Sequence, residues 1–302
     1  MSGILRNLGG KMAKNSKDSL GDRMKEFYEN RSKSYLTRRT PVIIRLDGKA
    51  FHSFTKGFKR PYDEVFHEAM NNTMKYLCAN IQGCKFGYTQ SDEITLLLTD
   101  YTTLTTDAWF GYGVQKMCSV AASMATLMFN KYFGRLVDDY LRSDAWVNHY
   151  WEEPVEKYAT ALKKAVATGA LFDARCFNIP KEEVTNCFIW RQQDATRNAI
   201  QMLGQTNFAH KELQGKSCND IQDMLMLQKG INFNDMPAEF KRGVCCIKET
   251  KYEPMVRIDG NVGGVSVTTN WVLDKNIPIF TQNREYVERF IDEEYKVNEF
   301  LC

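Results

Sequence analysis

The chain has 302 residues, a formal net charge of +3, and 43% hydrophobic and 25% charged residues, a composition that supports a buried core in one large or two modest domains. No stretch approaches the ~20 apolar residues needed to cross a bilayer, so no membrane partner is expected. The nine cysteines (Cys78, Cys84, Cys118, Cys176, Cys187, Cys218, Cys245, Cys246 and Cys302) lack paired C-x-x-C spacing, which argues against a zinc site or a disulfide framework. Reduced thiols in such a chain place it in the cytoplasm.

The charge is uneven. Residues 1–60 hold 15 Lys and Arg against 5 Asp and Glu, an excess of +10, so the remainder carries −7. A basic leader beside an acidic body suits an anionic partner such as phosphate or nucleic acid, and a solvated arm fits equally. Residues 1–18 read as a flexible N-terminal extension, with an organelle-targeting segment as the alternative reading.

In chain order, residues 19–37 place Met24, Phe27, Tyr28 and Tyr35 at helical spacing. Pro41 stops that helix, and the β-branched run from Val42 to Leu46 is a strand that Asp47-Gly48 ends in a turn. A helix over 63–81 carries an apolar stripe of Val65, Phe66, Met70, Met74 and Leu77. A strand from Cys84 to Tyr88, a tight turn at Gln90-Ser91-Asp92 and a strand from Glu93 to Leu98 follow, then a long buried helix over 108–133. This order suits an α+β unit of the ferredoxin-like type, with helices over one face of its sheet. The second half reads as helices over 154–168 and 181–203 flanking a strand at 172–179, a strand at 243–248, an irregular glycine-rich segment at 259–264 and an acidic helix over 284–299. The expected organisation is therefore 1–18 extension, 19–150 catalytic half, and 151–302 as a helix-rich continuation of the same unit.

Two sharp turns carry the chemistry. Asp47 ends one strand, followed by Gly48, which permits close backbone approach; Asp92 and Glu93 sit at a hairpin tip. Neighbouring strands would bring the acids to one sheet edge. Paired carboxylates without His or Cys suit Mg²⁺, and two such ions ~4 Å apart would stabilise both the attacking and leaving oxygens of an in-line displacement. Lys49, His52, Lys56, Lys59, Arg60 and Lys116 supply charge for a triphosphate. Singly, Asp-Gly is most often only a turn and His52 a packing residue.

The blocks RLDGKAFHSF, GYTQSDEITLLL, KMCSVAAS, LFDARCF and WRQQDATRNAI stand in the order and character of the tRNA-His guanylyltransferase family, and the chain resembles its guanylyltransferase-like branch over about residues 20–250. That resemblance implies a polymerase-palm fold, a 3′-to-5′ nucleotidyltransferase activity, Mg²⁺ (two ions per site), ATP and GTP or other NTPs as substrates, tRNA as partner and a homotetramer. It implies Asp47, Asp92 and Glu93 as catalytic acids, with Asp47, Asp92 and the Gly48 carbonyl as metal ligands. Lys49, Ala50, Phe51, His52, Arg60, Ser91 and Lys116 would contact the nucleotide, and Arg191, Gln192, Asp194 and Asn198 the RNA. Two departures matter. The family's His-x-x-Asn stretch reads Thr196-Arg197-Asn198-Ala199, and its Asp-Gly-Arg reads Asp173-Ala174-Arg175. Both favour templated repair of tRNA 5′ ends over addition of a single G to tRNA-His. A palm-type nucleotide cyclase and a silent RNA-binding module are the rival readings; the first leaves the WRQ block unexplained, and the second leaves the paired aspartates without a purpose.

Overall fold

The computed structural model describes residues 19–256 and 262–291. The expected extension at 1–18, residues 259–261 of the glycine-rich segment and residues 292–299 of the closing helix lie outside them. In chain order the elements are α1 (Ser19–Phe27), β1 (Val42–Gly48), α2 (Phe51–Phe54), α3 (Glu64–Asn80), β2 (Cys84–Gln90), β3 (Glu93–Leu98) and α4 (Val114–Tyr140). There follow α5 (Asp144–Val147), α6 (Glu153–Thr168), β4 (Phe172–Asn178), α7 (Lys181–Asn207), α8 (His210–Leu213), α9 (Cys218–Lys229), α10 (Ala238–Arg242), β5 (Val244–Val256), β6 (Val262–Asp274) and α11 (Glu285–Glu288).

The sheet order is β4-β1-β3-β2-β5-β6, with every neighbouring pair antiparallel. Its first four strands, with α3 and α4 as the crossovers, form a β-α-β-β-α-β unit of the expected ferredoxin-like type, whose fourth strand, β4, comes from the stretch read as the second half. On one face Val42, Ile44, Leu46, Ile94, Leu96 and Leu98 pack against α3, α4 and α6. Helix α4 buries Met117, Ala121, Ala125, Phe129, Phe133 and Val137, a strict four-residue stripe whose alanines let it lie close to the strands. Helix α3 starts where the Asp63 carboxylate accepts the Phe66 N–H at 2.9 Å, which satisfies a donor the helix itself leaves open.

The opposite face is covered too. Ile43, Phe86, Tyr88 and Leu97 meet Val184, Cys187 and Phe188 of α7 and the segment carrying Ile277, Phe280 and Phe290. The palm unit's own helices hold one face, as expected, while the second half supplies a lid for the other. That is why Val42, Ile43 and Ile44 are all fully buried: a strand covered on both sides reads as a continuous apolar run.

Several boundaries differ from the sequence expectations. Helix α1 stops at Phe27, because it buries none of its residues and gains no packing to sustain more turns. The helix expected from residue 108 begins at Val114; Phe110 and Gly111 take positive φ, which breaks helical geometry. Strand β5 runs well past Lys248, paired with β6, and the glycine-rich stretch from Val262 is part of β6. Helix α9, which opens with a Ser217–Asp220 capping box, was not anticipated. Among the described residues the acidic 284–299 segment is helical only over Glu285–Glu288. The eight cysteines described are all free.

Candidate active site

Strand β1 ends Arg45-Leu46-Asp47-Gly48, and the two-residue period of a strand puts Ile43, Arg45 and Asp47 on the α7 face. The register sets Asp47 opposite Glu93 on β3 and opposite Asp173 on β4. Asp92 occupies the β2–β3 turn, where Ser91 takes a left-handed conformation with φ 50°. The Gly48 N–H donates to the Asp92 carbonyl at 3.1 Å. The two aspartates therefore meet at one end of the sheet. Gly48 is required for a steric reason, since a Cβ there would run into the Phe51 ring.

The two aspartates share an unfavourable field. Partial burial pushes the Asp47 carboxyl above the ordinary range, and the charges of Glu93 and Asp173 add to it, while Arg175 and Arg45 oppose. Burial raises Asp92 as well; its own N–H and the Ser91 hydroxyl pull it down, and Asp47 and Glu93 push it up again. The Ser91 hydroxyl donates to Asp92 Oδ1 at 3.0 Å. Arg175 Nη2 lies 3.0 Å from Asp173 Oδ1 and 3.9 Å from Asp47 Oδ2.

Glu93, expected among the catalytic acids, is instead ion-paired on both oxygens. Arg45 Nη2 reaches Oε2 at 2.7 Å and Arg191 Nε lies 2.8 Å from Oε1, while the Thr95 hydroxyl donates to Oε1 at 3.1 Å. Its side chain is 6% exposed. Trp190 lies under the guanidinium groups of both Arg45 and Arg191, at 5.1 and 4.3 Å. Glu93 thus pins β3 to β1 and α7 and supports the aspartates from behind.

The expected nucleotide contacts divide. Lys49, Ala50 and His52 are exposed on the turn and short helix α2 beside Asp47, with Ala50 at φ 56°. Phe51 is 4% exposed and sits among Phe54, Phe66, Phe129 and Phe172, so only its backbone faces the turn. Arg60 is exposed on the loop before α3. Lys116, expected among the nucleotide contacts, stands apart from them. It is on the first turn of α4, whose Val114 carbonyl meets the Cys176 thiol near the Asn178 end of β4, and Asn178 pairs with Val42. That is the opposite end of β1 from Asp47, and the Lys116 ammonium rests on the Phe110 ring at 4.6 Å.

The expected RNA contacts also divide. Arg191 is spent on Glu93 and Asp194. Gln192 is 4% exposed; its amide donates to the Pro278 carbonyl and accepts the Phe280 N–H, which fixes the C-terminal segment to α7. Both are structural. Asp194 is half-buried between Arg191 and Arg197, and Asn198 is exposed. Arg45, Asp173 and Arg175 were not singled out from the sequence for this cluster, yet their two-residue spacing in RLD and DAR puts them on the face of Asp47.

Among the described residues no group of three or more His, Cys, Asp or Glu side chains forms a metal cage. At the end of the sheet where β1 meets the β2–β3 turn, Asp47, Asp92 and the Gly48 backbone offer oxygen donors only. Such a set fits Mg²⁺, which takes few protein carboxylates and keeps water or phosphate oxygens for its other positions.

The profile of the tRNAHis guanylyltransferase family, Thg1, matches residues 21–180, which contain β1 to β4 and both turns. The chain belongs to that family. A bacterial Thg1-like protein solved in complex with ATP superposes with a TM-score of 0.71 at 43% identity, covering 91% of this chain and 99% of that one. A bacterial Thg1-like protein in complex with GTP gives 0.68 at 39% identity over the same shares. The tRNA(His) guanylyltransferase of Debaryomyces hansenii is 27% identical over 72% of this chain and 77% of its own length. Thg1 family members are nucleotidyltransferases acting on tRNA. Among the described residues no helix is long and apolar enough to cross a membrane.

Proposed function

We propose that this chain is a 3′-to-5′ nucleotidyltransferase that restores missing nucleotides at the 5′ end of tRNA, copying the opposite strand. The observation that carries the reading is the meeting of Asp47 and Asp92 at a palm edge beside the exposed Lys49–His52 turn. In the reaction, a 5′-monophosphate of the RNA attacks the α-phosphorus of ATP, forming a 5′-5′ pyrophosphate linkage and releasing pyrophosphate. The 3′-hydroxyl of an incoming NTP then attacks the RNA's 5′ phosphorus, forming the phosphodiester and releasing AMP with the hydroxyl proton lost to solvent. An RNA that already bears a 5′-triphosphate needs no activation.

In this reading Lys49 and His52, with Arg60 and the backbone of Ala50 and Phe51, hold the triphosphate; Ser91 fixes the Asp92 carboxylate. Asp47, Asp92 and the Gly48 carbonyl would hold Mg²⁺, which supplies charge neutralisation on the phosphates and acidifies the attacking hydroxyl. Asn198 is the exposed member of the α7 group left to face RNA. Thr196 donates its hydroxyl to the Lys241 carbonyl at 2.9 Å, so the position where the guanylyltransferases proper carry histidine is here committed to α10. That supports the repair branch. The bacterial relatives' complexes with ATP and with GTP support use of both nucleotides.

We also propose a homotetramer in the cytoplasm. Helix α1 presents Leu20, Met24 and Phe27 to solvent, a face that a second copy would cover. The mass in solution tests this; four chains of 34.9 kDa are expected, and a monomer refutes it. For the activity itself, a tRNA lacking its first nucleotide is supplied with all four NTPs while the opposing base is varied. The added nucleotide should follow the opposing base. Addition of G whatever stands opposite would instead place the chain with the tRNA-His enzymes.

A further inference from the structure

Across β1 from the aspartates, a cleft of about 680 Å³ opens between the turn after β1, α4 and the end of α6. Its walls include Lys49 and Lys56 from the turn and Lys164 from α6, over an apolar floor of Phe54, Ala161 and Leu171. All three lysines are exposed. Among the described residues no carboxylate pairs with any of them, and the cleft is lined by no Asp or Glu.

Three unpaired ammonium groups around a patch without acid form a concentrated positive field. The volume falls in the range that takes a nucleotide-sized ligand, and the apolar floor gives a base or ribose something to cover. The cleft is also continuous with the reaction site. Lys49 and Ala50 line it, and the Lys49 N–H donates to the Leu171 carbonyl at 2.9 Å, which ties the turn beside Asp47 to the cleft floor.

We propose that this cleft is a second phosphate site, holding a phosphate-bearing ribonucleotide unit next to the one on the aspartates. The inference rests on the nucleotidyltransferase reading and extends it. The site's chemistry is shared by the RNA strand leading away from its 5′ end and by a second free nucleoside triphosphate. Lys56 and Lys164 hold the phosphate, and Lys49 stands between the two sites.

The test uses Lys56→Glu, Lys164→Glu and their pair, with Lys248→Glu on β5 as a control four strands away from β4. Binding of a 5′-monophosphorylated RNA hairpin is measured against salt, and the stoichiometry of ATP binding is measured by calorimetry. If RNA occupies the cleft, each substitution weakens RNA and lowers the slope of log K against log salt by roughly 0.7 to 0.9, leaving ATP stoichiometry unchanged. If a nucleotide occupies it, ATP falls from two bound per chain to one and the RNA slope stays. Either result supports the site and names its occupant. Unchanged slope and stoichiometry in both single variants overturn the cleft. A wild-type chain that binds neither probe overturns the nucleotidyltransferase reading itself. Both lysines are exposed, so melting curves matching the parent's are expected.

Discussion

At Asp47 and Asp92, function and stability pull in opposite directions. Both carboxyls are held above the ordinary carboxylate range by burial first, with the charges of Glu93 and Asp173 adding at Asp47 and those of Asp47 and Glu93 adding at Asp92. A raised folded-state pKa means that the native protein binds the proton more tightly than the unfolded chain. The resulting stability is present in full below the ordinary carboxylate pKa and is lost as pH rises through the raised one. Where they are charged the two groups are destabilising, so Asp47→Asn should melt above the parent toward neutral pH, with the gap closing in acid. Thermal melts over a pH series check this, and a variant less stable than the parent at pH 7 contradicts it. Added Mg²⁺ should raise the parent's melting temperature and leave an Asp47→Ala, Asp92→Ala double variant unmoved. The two aspartates were legible in the sequence because each sits at a sharp turn beside a short, clear strand. Glu93's partnership with Arg191 was not, because an ion pair between β3 and α7 depends on how the second half folds back over the sheet.

Among the elements, α7 does more than the sequence suggests. Arg191 and Glu93 are both 5% exposed, and removing one partner of a buried pair leaves an uncompensated charge. Arg191→Ala should cost about 3 kcal/mol of stability, measured by denaturant unfolding; a loss within experimental error would show that Arg45 alone satisfies Glu93. Gly243, at φ 80°, joins α10 to β5 so close to β2 that a Cβ would strike the Thr89 carbonyl. Gly243→Ala should therefore destabilise the chain and detach the β5–β6 ribbon from β2, read by hydrogen exchange of Cys245 and Cys246; unchanged protection would contradict the steric argument. Strands β1 to β4 were readable one by one because they are short runs bounded by turns; that β4 pairs with β1 was not, because α4, α5 and α6 separate it in the chain from the other three. The second strand of the ribbon was not readable, because Gly263 and Gly264 look like loop residues until the strand pairs with β5, Gly264 opposite Met255. The alternation around Val265, Val267 and Thr269 was the available signal.

At the scale of the whole molecule, one sheet has two differently built faces. The α3, α4 and α6 side is a packed aromatic and aliphatic core, and the α7 side carries a polar row running from Asp173 through Asp47 to Glu93. The acids stand where that row reaches the open end of the sheet, with lysines clustered beyond them. This arrangement follows from the topology: β1 and β3 are central neighbours in space although α3 and β2 separate them in the chain. The central claim is that Asp47 and Asp92 act together on a phosphate at this edge. Its most direct test is nucleotide addition to a 5′-monophosphorylated tRNA lacking its first nucleotide, with ATP, Mg²⁺ and NTPs, in parent, Asp47→Ala and Asp92→Ala chains of matched fold. The account predicts addition by the parent and a fall of roughly a hundredfold or more in each variant, the scale expected when one group stabilising a reacting centre is lost. Addition at parental rate in either variant would contradict it.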